Sequence, residues 1–270
     1  MLTKRFVVLG AIAILPAFAQ VPSAPLKTGT TQPAAPRYHA PMRGLVDYKN
    51  GTVTTGNWSG YAVTGTGFTR AVGSWTVPAL MCTSGTEYAV FWVGIDGYSD
   101  ETVEQTGTEG VCSGTTATYS AWYEYCCSEP IITITGMTVK PGDKMLAAII
   151  YNTGTSEFTV EIKDDTTGQT FSKTKSFPSA QRTSAEFIAE APSEGDTILP
   201  LADYGTVLFG KDNTGLGGCT AEDSTASGVI GAFPAADIEQ IIMEKKNVME
   251  SIPSSLSSDG SSFSVTWAAQ

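Results

Sequence analysis

After about residue 50, apolar and polar positions alternate with a period near two, in short runs separated by Gly, Asn, Asp, Ser and Thr. Such alternation sends successive side chains to opposite faces of a strand. The pattern predicts strands at 58–63, 68–77, 88–95, 102–106, 116–125, 131–135, 145–151, 157–164, 169–177, 184–190, 206–209 and 262–266. Lys140-Pro-Gly-Asp143 reads as a Pro-Gly turn, and Asp164-Asp-Thr-Thr-Gly168 as a hairpin loop ended by Gly. One segment is ambiguous: Ile238, Ile241 and Ile242 have helical spacing, but the β-branched pair fits a strand equally well. No solenoid or propeller period is present. Many short strands with turn signals between them predict an all-β, antiparallel sandwich or barrel.

The first 50 residues follow other rules. Lys4 and Arg5 precede an apolar run from Phe6 to Leu15, and Ala17-Phe18-Ala19 offers a small-residue cleavage site, so 1–19 is predicted to be a secretory signal peptide. The apolar run is too short to span a bilayer. Residues 20–50 are rich in Pro and Ala with no clear period, as expected of a propeptide or linker. Residues 51–270 then form one domain, long enough for a sizeable core.

Charge divides the chain at the same place. Of 16 basic and 27 acidic residues, the first 50 positions hold six and one, leaving 10 basic and 26 acidic side chains beyond. A surface so acidic excludes nucleic acid as a partner. It serves solubility, or work in acid, where carboxylates protonate and few cations remain to repel one another. At neutral pH the basic segment is expected to lie over the acidic face of the domain, where the cleft is one place for it, and to leave in acid. His39 gains charge on acidification and is expected to oppose that release.

Five cysteines in an exported chain imply disulfides and one odd thiol. The expected pairs are Cys82 with Cys112, and either Cys126 or Cys127 with Cys219, because adjacent cysteines rarely bridge. The only histidine, His39, falls in the segment to be removed, so the mature domain has no imidazole. That excludes Ser-His and Cys-His nucleophile pairs and His-ligated zinc. No metal and no cofactor are expected. Hydrolytic chemistry would have to run on carboxylates, amides, hydroxyls or water.

Alternation groups Thr116, Thr118, Ser120, Trp122 and Glu124 on one face, and Glu186, Ile188 and Glu190 on another. Glu124 and Glu190 can therefore share an aromatic-lined surface with Gln105, Trp58 and Trp92. Pattern alone favours ordinary roles: Gln105 as a surface hydrogen-bonding residue, Glu190, Glu104, Glu109 and Glu186 on solvated faces, Asp96 in a turn, and Trp58, Trp92 and Trp122 in the core.

Five motifs in one order change that balance. Asn57-Trp58-Ser-Gly60, Trp92-Val-Gly-Ile-Asp96-Gly97, Gln105-Thr-Gly107, Ala121-Trp-Tyr-Glu124 and Ala185-Glu-Phe-Ile-Ala-Glu190 resemble the glutamic peptidases, or eqolisins, over roughly residues 55 to 267. The resemblance implies a sandwich of two large antiparallel sheets, a concanavalin-like jelly roll, with the cleft on its concave face. It implies a secreted acid endopeptidase, insensitive to pepstatin and made with signal and propeptide. Gln105 and Glu190 match its catalytic pair, and Trp58, Trp92, Asp96 and Glu124 match positions that line or support the cleft. Ser120 stands where fungal members carry Asp, and Asn57-Trp58-Ser59 is a glycosylation sequon beside the cleft.

Peptide hydrolysis without a protein nucleophile needs a base for water, a donor for the oxyanion and an acid for the leaving nitrogen. Glu190 can serve as base and then acid, while the Gln105 amide supplies the donor. The expected partners are protein or peptide substrates, with no nucleic acid and no membrane, for a monomer. Two other classes compete: a β-sandwich glycoside hydrolase using Glu124 and Glu190, and a non-catalytic polysaccharide-binding module using the tryptophans. An aspartic protease is disfavoured, since paired Asp-Thr/Ser-Gly motifs are absent.

Overall fold

The computed structural model describes residues 37, 39–42, 47–49, 52–127 and 129–268. The expected signal peptide, 1–19, lies outside the described residues. The strands, in chain order, are β1 (Asp47–Lys49), β2 (Thr52–Thr55), β3 (Trp58–Thr64), β4 (Arg70–Thr76), β5 (Thr86–Ile95), β6 (Val103–Ser113), β7 (Thr116–Cys126), β8 (Ile132–Thr133), β9 (Lys144–Asn152) and β10 (Glu157–Asp164). They continue as β11 (Gln169–Ser176), β12 (Ser184–Glu190), β13 (Ser193–Glu194), β14 (Thr197–Ile198), β15 (Thr206–Gly210), β16 (Thr220–Glu222), β17 (Ser227–Val229), β18 (Ile238–Lys245), β19 (Val248–Pro253) and β20 (Ser262–Trp267). Helix among the described residues amounts to one turn, Lys211–Thr214, and a short 3-10 segment, Ile230–Ala232. None is long or apolar enough to cross a membrane.

The all-β expectation holds, and the fold is an antiparallel β-sandwich. Except for β13 and β14, the strands join one hydrogen-bonded network that doubles back on itself. One layer runs β8-β7-β6-β5-β12-β3-β18; the other runs β11-β10-β9-β4-β15-β20. β19 pairs with both β18 and β20 and closes one side. β5 and β6 lie across β9, and β6 across β10. Between the layers sits the main core, including Trp75, Phe91, Phe158, Phe187, Phe209 and Phe263. Each such side chain contributes about 1.5–3 kcal/mol through its removal from water.

The ambiguous segment is a strand, β18, whose central Ile241 is buried between β2 and β3. The 102–106 run extends to Ser113, and the 131–135 run shrinks to two residues. Cys82 bridges Cys112 as expected, but Cys126 and Cys127 bridge each other across a cis peptide bond and Cys219 is left free and buried. The expected link to Cys219 is thereby corrected: its thiol packs in the inter-sheet core, whereas Cys126 faces the other side of β7, in a second apolar cluster.

Candidate active site

That second cluster covers the outer face of the β3-β12-β5-β6-β7 layer and contains Trp58, Trp92, Trp122, Val90, Ile188 and Ile241. Strand register turns this face into three rows. Glu186 on β12 aligns with Gly94 on β5, Gln105 on β6 and Glu124 on β7. Ile188 aligns with Trp92, Gly107 and Trp122. Glu190 aligns with Val90, Glu109 and Ser120, and with Trp58 on the other side. Period-two alternation thus places four carboxyl groups, one amide and three indoles on a single surface.

Two glycines make room for the middle row. A Cβ at Gly107 would come within 2.2 Å of the Phe91 carbonyl oxygen and 2.6 Å of Trp92 Cβ. One at Gly94 would meet the Trp92 ring at 2.6 Å. The indole is therefore seated where both neighbours lack side chains, and its Nε1–H donates to Glu190 Oε2 at 2.7 Å. Trp58 meets Trp92 edge-on, with ring centres 4.9 Å apart.

Arg37 and residues 39–42 run through this site. The Gln105 amide nitrogen donates to the His39 carbonyl oxygen at 2.7 Å and to Glu124 Oε2 at 3.1 Å. Both neighbours are acceptors, which fixes the NH2 end of the amide toward them. The His39 backbone N–H donates to the same Glu124 oxygen at 3.1 Å. Beyond it, the Ala40 backbone N–H interacts with the Glu190 carboxyl. Trp58 Nε1 donates to the Ala40 carbonyl oxygen at 3.1 Å, and the Met42 N–H donates to the Gly97 carbonyl oxygen at 2.9 Å. Arg37 pairs with Glu109 at 3.0 Å and lies over the Tyr88 ring. The His39 ring packs 3.8 Å from that of Trp122, with Nδ1 3.7 Å from Glu190 Oε2.

With the segment in place, Gln105, Glu190 and Glu124 are buried. Glu190 and Glu124 are pushed well above the usual carboxylate range, chiefly by burial. The Glu124 charge adds to the shift of Glu190, whereas the Trp92 and Ala40 N–H groups oppose it. Gln105 Oε1, Glu124 Oε1 and Glu190 Oε1 have no hydrogen-bond partner among the described residues. Buried polar atoms left open in this way are a common mark of a site that handles water or substrate.

Gln105, Glu190, Glu124, Trp58 and Trp92, all expected from the sequence, share one face of the layer. Asp96 sits apart from them. Its backbone has a φ of 74°, and its carboxylate accepts from the N–H groups of Gln181, Arg182 and Thr183 at 2.7–2.8 Å. It pins the loop entering β12, at the opposite end of that strand from Glu190. Burial raises its pKa to about 6 against the pull of those N–H groups.

Three ordinary assignments fail. Glu104, Glu109 and Glu186 are buried rather than solvated, and burial pushes each of them up. His39 does not oppose release on acidification: in its buried position it is held well below its ordinary value, by burial first and by Arg37 second, so protonation works against docking. The sequon is closed as well, since Asn57 is buried and its Nδ2 donates to the carbonyls of Ala40 and Pro41. Two roles were not expected from the sequence: Trp122 as the contact of the His39 ring, and Glu109 as the ion-pair partner of Arg37. Ser120 lies opposite Glu109 on β7, and only strand pairing reveals that relation.

Comparison with known proteins agrees with this geometry. The pattern of the Peptidase A4 family matches residues 56–266. Aspergillopepsin-2 of Aspergillus niger is 30% identical over 217 residues, which is 71% of this chain and 74% of that protein. The crystal structure of scytalido-glutamic peptidase with a transition state analog inhibitor superposes with a TM-score of 0.66 at 25% identity, over 78% of this chain and 98% of that one. SCP-B, a member of the Eqolisin family solved with the tripeptide Ala-Ile-His, superposes with a TM-score of 0.62 at 26% identity over the same shares.

Proposed function

Since the chain belongs to the Peptidase A4 family, the glutamic peptidases or eqolisins, which hydrolyse peptide bonds in peptides or proteins, we propose that it is a secreted acid endopeptidase whose catalytic residues are Gln105 and Glu190. One observation carries the assignment of the pair. Both side chains meet the same residue of the docked segment, Gln105 at the His39 carbonyl oxygen and Glu190 Oε2 at 3.7 Å from its ring nitrogen Nδ1.

In that arrangement Glu190, when ionised, takes a proton from a water that attacks the carbonyl carbon. The Gln105 NH2 donates to the oxyanion as the carbon becomes tetrahedral. Glu190 then returns the proton to the leaving nitrogen. Trp92 positions the Glu190 carboxyl, and Glu124 holds the Gln105 amide by accepting its second hydrogen. Trp58 binds substrate backbone one residue past the scissile carbonyl, as it does the Ala40 carbonyl here.

Operation in acid is favoured by the composition of the domain, whose many carboxylates protonate while few cations remain to repel one another. Export rests on the signal-like residues 1–19, and the docked residues 37 and 39–42 favour a propeptide for 20–50. Family membership selects the peptidase over the glycoside hydrolase and the polysaccharide-binding module. A zymogram at about pH 3–4, near where carboxylates titrate, tests it: casein should clear while xylan and glucan stay intact. The Glu190→Gln enzyme, folded, should clear none of them. Near-wild-type turnover by that variant would remove Glu190 from the mechanism.

A further inference from the structure

We propose that the His39–Ala40 peptide bond is the bond at which this enzyme cuts its own chain, in cis, a claim that rests on the Gln105/Glu190 assignment. An extended peptide in a cleft presents a series of carbonyls and N–H groups, and only one bond can sit on the reacting pair. Here the carbonyls on the far side are engaged elsewhere. That of Ala40 accepts from Trp58 Nε1 at 3.1 Å and from Asn57 Nδ2 at 3.4 Å, and that of Pro41 from Asn57 Nδ2 at 3.3 Å. The nitrogen of Pro41 carries no hydrogen, so the Ala40–Pro41 bond cannot present an N–H to Glu190. On the near side, the His39 N–H is committed to Glu124. Among the described residues the His39 carbonyl alone meets Gln105, and the nitrogen it would release, that of Ala40, interacts with the Glu190 carboxyl.

Side chains hold the same register. Arg37, two residues before the scissile carbonyl, is fixed by a bidentate pair with Glu109, 3.0 and 3.4 Å, and by the Tyr88 ring. Glu109 shares the Glu190 row, so the cation is anchored at a set distance along the cleft. The His39 ring lies on Trp122, and Met42 packs against the apolar cluster around Trp58 and Trp92. A charge-assisted anchor, an aromatic platform and an apolar contact define one way for this segment to lie.

The step balances as an ordinary hydrolysis. Water forms the new C–O bond at the His39 carbonyl carbon, giving one proton to Glu190. The C–N bond to Ala40 breaks as that proton passes to the Ala40 nitrogen. The products are a segment ending in a His39 carboxyl group and a chain beginning with the Ala40 amine.

The test is a time course of the purified full chain shifted from neutral to about pH 3.5, in the carboxylate range, with intact mass and N-terminal sequencing of the earliest products. The first cut should fall between His39 and Ala40, with a first-order rate independent of protein concentration. Arg37→Glu should slow it by about tenfold or more, since the bidentate hydrogen bonds to Glu109 and the contact with the Tyr88 ring are lost. The matured product, which lacks position 37, should still cleave casein at the wild-type rate. A first cut elsewhere, a rate proportional to concentration, or casein hydrolysis by a chain still intact at His39–Ala40 would each overturn the proposal. Failure of the enzyme on casein altogether, or an equally fast cut by Glu190→Gln, would instead overturn the catalytic assignment beneath it.

Discussion

Replacing Trp92 by Phe tests the proton economy of the site without touching either reacting group. The Trp92 indole N–H donates to Glu190 Oε2 at 2.7 Å and favours the charged carboxylate, against burial and the neighbouring Glu124. Hydrogen bonds to charged groups are worth about 1.5–3 kcal/mol, and one pKa unit corresponds to about 1.4 kcal/mol. Phe keeps a ring against Trp58 and between Gly94 and Gly107 but offers no donor. The apparent pKa governing Glu190 should therefore rise further, because the one side-chain donor that favours its charged form is lost. Because Glu124 and Glu190 interact, the limb observed belongs to the pair. The assay is kcat/KM against pH for matured wild type and Trp92→Phe on an internally quenched peptide, with a melting curve for each. If Glu190 works as the ionised base, the acidic limb moves toward neutral while the alkaline limb stays. A folded variant whose two limbs both match wild type would refute the role given to the indole.

Gln105→Ala should lower kcat by about 10²–10³ with little change in melting temperature, the usual loss for one oxyanion donor, and single-turnover kinetics would check it. Gly107→Ala forces a methyl against the Phe91 carbonyl and Trp92 Cβ, so it should cost about 1–3 kcal/mol of stability or more, read as a lower denaturant midpoint. His39 docks neutral, so its contribution to segment binding is present above its ordinary pKa of about 6.5 and lost as the pH falls below it. In a Glu190→Gln background, His39→Phe should then hold the segment to lower pH, and hydrogen exchange of residues 37–42 across that range should show it. Identical profiles for the two would remove His39 from the release step.

What the sequence could and could not disclose follows from the nature of a period-two signal. Alternation correctly put Glu186, Ile188 and Glu190 on one face and Ser120, Trp122 and Glu124 on one face. It carries no information about which strand lies beside which. The order β3-β12-β5-β6-β7 brings residues far apart in sequence into one row, and long-range pairing alone creates it. Strands with weak signatures were passed over: β19 ends in Pro253, and β2, β16 and β17 are short, Thr-, Ser- or Gly-containing pieces. In β18 the β-branched isoleucines suited two structures, and pairing with both β2 and β3 decided between them.

The buried acids expose a second limit. A strand that alternates polar and apolar residues has two faces, but the pattern does not say which of them is wet. Glu186 and Glu190 looked solvated because their face is polar; it is instead roofed by three indoles and by the chain's own residues 39–42. A hydrolase that activates water with a carboxyl group gains from this arrangement. With residues 39–42 docked, solvent is excluded from the Glu190 carboxyl, and that burial raises its proton affinity. The docked residues 39–42 thus complete the environment that tunes Glu190, and His39, which the sequence pattern places with the leader, is buried against it with Nδ1 3.7 Å from Glu190 Oε2.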